Sequence, residues 1–524
     1  MKGRVGRGFL WASSAIVAGL AHPPGYLWWA VLVMPAVLIA LLAQARRPFW
    51  LAWGWGVLYY TTLGLPLLYL LELQTGNLAL SWLGLLLLAG LTALTTGLFG
   101  WGVVRWVLPL KGQATTAWLV PFGVASLWTL SQWLRGLGEF AFVWGHFAPA
   151  LAFQPTLIQL IDTLGTWGLE FWILFWNGLL LFATLWGGRR RWVWQAVSAG
   201  LLMLWLGAGY GLLQVWSEPP SRTARVAIVQ PNVDLARAYL PHEWEAVRAD
   251  LATLIQQAGA QQPDLIVLPE VMEPYPMPDS ARAFAWWRQQ AQRAGIPILT
   301  GGYRVANPET EQWTNTVHLF LPDGTWRHHD KVQLVPLGEH VPYRQFLGFL
   351  RIFGIVERDL LAGQALKPLE LGGVRIGAVI CMESTYPWIA RAMVREGANL
   401  LVVGSNESWF GHTPALDQHL AFSILRAVET RRWVVRSAPE GVSAFIAPSG
   451  KVQRLPSFTP AVQVRAVGTE SVLTPTVRWG DWCIALYGVS VFVCGLLVRV
   501  QRKKGAGGQA SSHRLSGVSP RNRS

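Results

Sequence analysis

Charge is scarce in this chain. Only 14 % of its 524 residues are Asp, Glu, Lys or Arg, against roughly 25 % in soluble proteins. Apolar residues make up 52 %, so a wholly water-soluble protein is excluded and a membrane protein with a soluble part attached is expected. Cysteine is scarcer still, with three residues in all. Cys483 and Cys494 share one apolar segment, and eleven residues of helix hold them about 16 Å apart, too far for a disulfide. Cys381 is then the single thiol outside apolar membrane sequence. No His, Cys or carboxylate set has metal-ligand spacing: neither His146 nor the His328-His329 pair has the partners a metal site needs. No cofactor motif is present either. Acidic residues are outnumbered, and the net charge is +14. That sign suggests nucleic acid, but the cations sit in short clusters between apolar stretches (Lys2/Arg4/Arg7, Arg46/Arg47, Arg105/Lys111, Arg189/Arg190/Arg191 and Arg499/Arg502/Lys503/Lys504). Such placement reports membrane topology and excludes a phosphate-backbone face.

Apolar runs long enough for the roughly 30 Å hydrocarbon layer fall at 8–22, 25–43, 49–71, 80–104, 117–135, 169–187, 192–216 and 481–500. With the N-terminus inside, the connections at 44–48, 105–116 and 188–191 and the tail after 500 are all cytoplasmic, and each carries Arg or Lys. The outer loop at 72–79 carries neither. Residues 217–480 then lie outside the cytoplasm. The expected organisation is a membrane domain of seven helices over 1–216, a catalytic domain over 223–470, a transmembrane helix at 481–500 and a basic cytoplasmic tail at 501–524.

After the linker "SEPPSR" (217–222) the pattern becomes strand–helix alternation. "ARVAIVQPNV", "DLIVLPE", "IPILTGGY", "NTVHLFL", "RIGAVICM" and "NLLVVGSN" read as strands, and 242–260, 280–294, 387–395 and 414–434 as helices. "SAFIAPSGKV" and "AVQVRAV" read as a terminal hairpin region. Buried strands alternating with amphipathic helices imply an α/β domain with a covered sheet.

Three chemically useful residues stand at the C-terminal ends of expected strands, where α/β folds place their sites. Glu270 ends "DLIVLPE", Lys331 lies in "RHHDKVQLVPLGEHVPY", and Cys381 ends the apolar run of "GAVICMES". Taken singly, each has a plain structural reading: a surface Glu, a solvated turn Lys and a packed core thiol. Together they are a chemical set. A carboxylate beside the thiol can take its proton, and an ammonium can favour the thiolate and stabilise an oxyanion. The set specifies acyl transfer through a thioester.

"LIVLPE", "DKVQLVPLGEHVP" and "AVICMES" resemble the Glu-Lys-Cys signature of the nitrilase superfamily. Seven apolar spans ahead of that signature, with "SNESWFG" (405–411), "DQHLAFSILRAVETRRWVVRSAPEGVSAFIAPSGKV" and "LIQLIDTLGTWGLEFWILFWN" (157–177), resemble the bacterial apolipoprotein N-acyltransferases. The resemblance implies a multi-pass α-helical membrane domain plus a nitrilase-like αββα sandwich, held at the outer (periplasmic) face of the bacterial inner membrane. It implies Cys381 as nucleophile, Glu270 as general base and Lys331 as stabiliser of the tetrahedral intermediate. Glu339 matches a supporting carboxylate, and Glu383 an acidic residue that orients the site or a lid. Trp244 stands for the family's displaced "KW" motif. Trp244, Trp409 and Trp144 are expected at the substrate, Trp144 as part of the 136–168 stretch flooring the cavity. The implied partners are a phospholipid acyl donor, diacylglyceryl-modified apolipoproteins and the membrane, with no nucleic acid. Met382 replaces a frequent Tyr, Glu407 an Asp, and "PEG" (439–441) the usual "NNG" or "NTG".

Two other readings compete. A membrane-tethered amidase would pass the acyl group to water, but seven spans are excessive for a tether. A transporter or receptor with an outer binding domain has no use for the Glu-Lys-Cys set, and the chain has neither paired broken helices nor an internal repeat. The apolar segment 345–361 reads either as a buried core helix or as a lid dipping toward the bilayer.

Overall fold

The computed structural model describes residues 2–233, 243–309, 311–348 and 359–515, with the side chains of 2–4 and 504–515 left aside. Most of the proposed 345–361 lid lies outside the described residues.

The soluble part is two stacked six-stranded sheets. The first receives β1 (Thr223–Gln230), β2 (Leu265–Val267), β3 (Ile298–Asn307), β4 (Gln312–Phe320) and β5 (Trp326–Asp330). The second receives β6 (Leu369–Leu371), β7 (Val374–Ile380), β8 (Leu400–Gly404), β9 (Val434–Ser437), β10 (Ala444–Ile446) and β11 (Val452–Arg454). The last strand, β12 (Ala461–Gly468), returns to the first sheet and pairs antiparallel with β1. The expected terminal hairpin is therefore divided: β10 and β11 pair with each other, while β12 closes the other sheet. Alternating apolar residues in β12 fit either edge, so local pattern cannot choose between them.

β1, β2 and β3 run parallel, as do β7, β8 and β9. Parallel strands buried on both faces need the near-continuous apolar runs that these segments have. Val226, Ile228, Val267 and Leu299 of one sheet meet Ile376, Ala378, Val402 and Val435 of the other in a dry seam. Helices Trp244–Gly259 and Ala281–Ala294 cover the outer face of the first sheet through Trp244, Leu251, Ile255 and Trp287. Helices Pro387–Arg395 and Ala415–Thr430 cover the second. The αββα sandwich is complete.

The outer helix Ala415–Thr430 is buried on every side, because the membrane part packs on the surface that would otherwise face water. Each of the eight apolar segments contains a helix. Pro48–Thr75, Leu78–Gly112, Ile161–Trp186, Gly188–Val215 and Trp482–Lys503 are long and apolar enough to cross a membrane, and Trp28–Leu42 is a shorter apolar helix. Leu119–Leu134 has 16 residues, about 24 Å of rise. The segment expected to begin at 169 starts at Ile161 and breaks at Gly165, whose φ of +72° admits little but glycine.

That break is where the two parts lock. Thr166 N–H, opening the second half of the helix, donates to Glu429 Oε1 at 3.1 Å, so a carboxylate from the catalytic domain caps a membrane helix. Arg426 Nε lies 3.0 Å from Glu429 Oε2. Arg431 Nη2 meets Asp162 Oδ2 at 2.7 Å, and its Nη1 donates to Gln159 Oε1 at 2.7 Å. Arg391 reaches Asp481 Oδ1 at 2.6 Å, at the start of the last helix. Arg431 is fully buried, so truncating it leaves Asp162 uncompensated. Arg431→Ala should cost about 3–5 kcal/mol, read as a lowered unfolding midpoint. The Arg431→Ala/Asp162→Ala double variant should recover much of that loss; additive losses would show that the pair is uncoupled.

Candidate active site

β2, β7 and β8 end at one edge of the sandwich, and their last residues turn toward one another. Glu270 follows β2 by three residues, Cys381 follows β7 directly, and Ser405 and Asn406 follow β8. Close approach is needed here: a Cβ on Gly301 of β3 would lie 2.5 Å from Glu270 Cα. Cys381 itself has φ +51°, a left-handed conformation costly for a side chain with a Cβ. It is the corner between β7 and the 3-10 turn Cys381–Thr385. The corner is over-determined by its neighbours. Glu383 accepts from Ile380 N at 2.8 Å and, across the site, from Val332 N at 2.7 Å and Gln333 N at 3.0 Å. One carboxylate thus ties the cysteine turn to the loop that carries Lys331. Burial raises its pKa to about 7, against the three N–H donors.

Lys331, 1 % exposed, extends β5 by one residue. Its N–H donates to Asn315 O in the middle of β4. Its ammonium donates to Glu339 Oε1 at 2.8 Å and to Glu270 Oε1 at 3.4 Å. Burial works to lower the pKa of this group, but Glu339 and Glu270 outweigh it and hold the ammonium charged well above its ordinary range. Asn315 Nδ2 bridges the same two carboxylates, at 2.7 Å from Glu270 Oε1 and 3.0 Å from Glu339 Oε1. Asn406 N–H donates to Glu270 Oε2 at 2.7 Å. The half-buried Cys381 thiol accepts from Ser405 Oγ at 3.6 Å. Burial and the Glu270 carboxylate push it up to about 12, and Lys331 alone among the nearby charges pulls it down. The resting group is therefore a thiol.

A second buried cluster backs the first. His419 Nε2 is 3.2 Å from the Cys381 carbonyl oxygen and 3.2 Å from Ser384 Oγ. Its Nδ1 is 2.9 Å from Glu407 Oε1 and 2.9 Å from the Arg436 guanidinium. Burial and Arg436 lower the imidazole's pKa, so the ring is neutral. Nδ1 thus faces both the Glu407 carboxylate and the Arg436 guanidinium, while Nε2 faces the Cys381 carbonyl and the Ser384 hydroxyl. Glu407 also accepts from Val442 N at 2.8 Å, directly after the "PEG" stretch.

The five residues expected at the chemical centre, Glu270, Lys331, Cys381, Glu339 and Glu383, are brought together. The three Trp residues are not. Trp144 is buried in the wall between the membrane part and the site, its Nε1 donating to Gln418 Oε1 at 3.0 Å and its ring against Phe410 and His419. Trp409, 44 % exposed, lies in the short turn Ser408–Phe410. That turn packs beside the membrane helix Leu68–Thr75, whose Tyr69 abuts Gly411. Trp244 lies in the outer helix layer of the first sheet, over Arg248, away from Cys381. Asn315 carries no sequence signal of its own, whereas Ser405 and Asn406 open the "SNESWFG" stretch and His419 lies in "DQHLAFS", without any role there being legible. A further hint was the helix 415–430, apolar yet studded with Gln418, His419, Ser423, Arg426 and Glu429.

Residues 225–472 match the carbon–nitrogen hydrolase family, and residues 14–179 match the apolipoprotein N-acyltransferase N-terminal domain. An apolipoprotein N-acyltransferase of Azotobacter vinelandii is 31 % identical over 95 % of this chain and 96 % of its own. The chain belongs to the apolipoprotein N-acyltransferase family. A Gloeobacter violaceus member is 31 % identical over 89 % of each chain. Among solved structures, an amidase from Nesterenkonia sp. aligns with 49 % of this chain and 95 % of its own, at 19 % identity and a TM-score of 0.36. This acyltransferase therefore joins a hydrolase-type sandwich to the membrane domain of its family.

The charges around the thiol generate an uneven pair of outcomes. Glu270→Gln removes the carboxylate that raises the Cys381 pKa, and Lys331→Ala removes the ammonium that lowers it. At pH 8, alkylation of Cys381 by iodoacetamide should quicken in Glu270→Gln and slow in Lys331→Ala, each by several-fold. Equal slowing in both would show that Glu270 acts as a base in alkylation too.

Proposed function

We propose that this acyltransferase moves an acyl chain from a membrane phospholipid to the α-amine of a diacylglyceryl-modified N-terminal cysteine of a lipoprotein, through a thioester on Cys381. In the first half-reaction the Cys381 thiol gives its proton to Glu270 as the sulfur attacks the ester carbonyl. The oxyanion forms beside the Lys331 ammonium. Collapse of the tetrahedral species breaks the ester C–O bond, and the departing alkoxide takes the proton back from Glu270 as lysophospholipid. In the second half-reaction the lipoprotein amine attacks the thioester and yields its proton to Glu270. The sulfur leaves, and the thiol is restored by that proton. Glu339 holds Lys331 in place, and Glu383 fixes the distance between the two loops.

The observation that carries this reading is the packing of Lys331 between two carboxylates beside a cysteine at a strained corner, in a domain whose helix Ala415–Thr430 is buried against membrane helices. An amide hydrolase needs the first half of that arrangement and not the second. Support for a lipid substrate comes from the apolar surface beside the site, where Tyr60, Leu63, Leu67, Leu85, Phe142 and Trp144 line a shallow cleft. One of these residues, Trp144, also packs against Phe410 and His419 beside Cys381. The catalytic domain faces the periplasm in this reading, and the basic connections face the cytoplasm.

Two experiments test the proposal. In single turnover, phospholipid alone should leave one acyl adduct on Cys381 by intact mass, and none in Cys381→Ala. Lys331→Ala should slow both formation and discharge of the adduct by roughly 10²-fold, and Glu270→Gln should also slow both, because Glu270 receives the proton in each half-reaction. A wild-type rate of adduct formation in Lys331→Ala would remove the lysine from the chemistry. The orientation is tested with single cysteines read by an impermeant maleimide. Ser217→Cys should label in intact spheroplasts and Thr115→Cys should not; the reverse pattern would overturn the placement.

A further inference from the structure

A second site lies at the opposite end of the membrane domain. The last helix begins at Trp482, beside the catalytic domain, and continues past Arg499. At about 1.5 Å per residue, Arg499 is roughly 25 Å farther along, close to a full hydrocarbon thickness. There Arg105, Arg499, Arg502 and Lys503 surround an open pocket of about 430 Å³. Its apolar wall is Trp106, Gly495 and Val498.

The pocket is built by two elements far apart in sequence. One is the end of the helix Leu78–Gly102, which widens into a π turn over Val103–Val107 and tightens into a 3-10 turn over Leu108–Gly112. Such π segments recur where a helix serves a function. The other is the last helix. Gln501 Nε2 donates to Gln113 Oε1 at 2.9 Å and Arg502 Nη2 to Arg105 O at 3.5 Å, which fastens the two together. Gly495 keeps the wall open, since a Cβ there would meet only the Trp106 ring at 3.9 Å. Trp106 in turn packs edge-on to Trp101, an aromatic pair at the level where such rings mark the membrane–water boundary.

Among the described residues no acid lines this pocket, and none occurs in the sequence over 103–118, 187–192 or 495–503. The positive-inside bias accounts for cations in each connection separately. It does not account for four of them, from two connected elements, converging on one concavity without a protein counter-charge. Converging like charges repel, so the arrangement calls for an anion. The flank of the pocket runs into exposed apolar side chains, Trp101, Phe492, Val493 and Leu496, which a soluble anion cannot use and an acyl chain can.

The geometry points to a binding site for an anionic phospholipid in the leaflet opposite the catalytic domain. Its phosphate is held by Arg105, Arg499, Arg502 and Lys503, and its chains lie along Trp101 and Leu496. A lipid here is a membrane thickness from Cys381 and cannot be the acyl donor. It braces the last helix, whose other end holds Arg391 of the catalytic domain through Asp481. Basic pockets between membrane helices take anionic head groups in this way.

Delipidated full-length protein, titrated with phosphatidylglycerol, should show a saturable rise in its thermal unfolding midpoint. Phosphatidylethanolamine and inorganic phosphate at the same concentrations should not reproduce it. Arg105→Gln/Arg499→Gln should raise the half-saturating lipid concentration by about tenfold or more. Arg189→Gln/Arg190→Gln, an equal charge loss outside the pocket, should change it less than about twofold. Gly495→Leu fills the wall without changing charge and should weaken binding comparably to the pocket pair, so the outcome does not hang on one variant's folding. Equal responses to the two phospholipids, a matching response to inorganic phosphate, or equal weakening by the two double variants would overturn the site.

Discussion

A single buried ammonium organises the catalytic edge. Lys331 is nearly inaccessible, and an unpaired charge at such depth costs several kcal/mol even after relaxation. The fold meets that cost with Glu339 and Glu270, and then must satisfy those carboxylates in turn. Asn315 bridges both, Asn406 N–H holds the far oxygen of Glu270, and Val335 N–H holds Glu339 Oε2 at 2.9 Å. One charge therefore fixes the middle of β4, the end of β2, the turn after β8 and the loop through Glu339. The same balance keeps the neighbouring thiol protonated, because a thiolate would add a negative charge to a group that already has two carboxylates for one ammonium.

The corner at Cys381 depends on a second layer of the same logic. A non-glycine residue at positive φ persists only if its surroundings leave no alternative. Glu383 grips both sides of the corner, and His419, Ser384 and the Cys381 carbonyl close it from behind. His419 belongs to the helix Ala415–Thr430, which also carries Gln418, Arg426 and Glu429 to the membrane domain. One helix thus supports the nucleophile on one face and the membrane on the other. The polar residues of the interface are paired across it, and its apolar residues join one continuous core with the membrane helices. The site is consequently held at a set height and angle to the membrane helices.

Much of this was legible in the chain itself. Long apolar runs separated by Arg and Lys can only be membrane helices, since no water-soluble fold buries so many. Uninterrupted runs such as "LIVLP" and "NLLVV" imply strands covered on both faces, and strand ends are where exposed chemistry sits. Glu270, Lys331 and Cys381 were accessible to that reasoning because each stands at the end of an expected strand, whereas Glu339 and Glu383 were reached only through the family resemblance. Helix 414–434 was read too long: Arg431 turns to φ +51° to meet Asp162, and the chain then enters β9. That stop is set by a partner in another domain.

Residue type and apolar period thus decided the membrane helices, the covered sheets and the identity of the reacting groups, because those depend on what each segment must bury. Tertiary structure alone decided the rest. The return of β12 to β1, the roles of Asn315, Asn406 and His419, and the removal of Trp244 from the Cys381 neighbourhood are contacts between segments tens to hundreds of residues apart. A neutral amide, a backbone N–H or an indole has no local pattern that announces its partner, and only the packed sandwich on its membrane base brings the partners within reach.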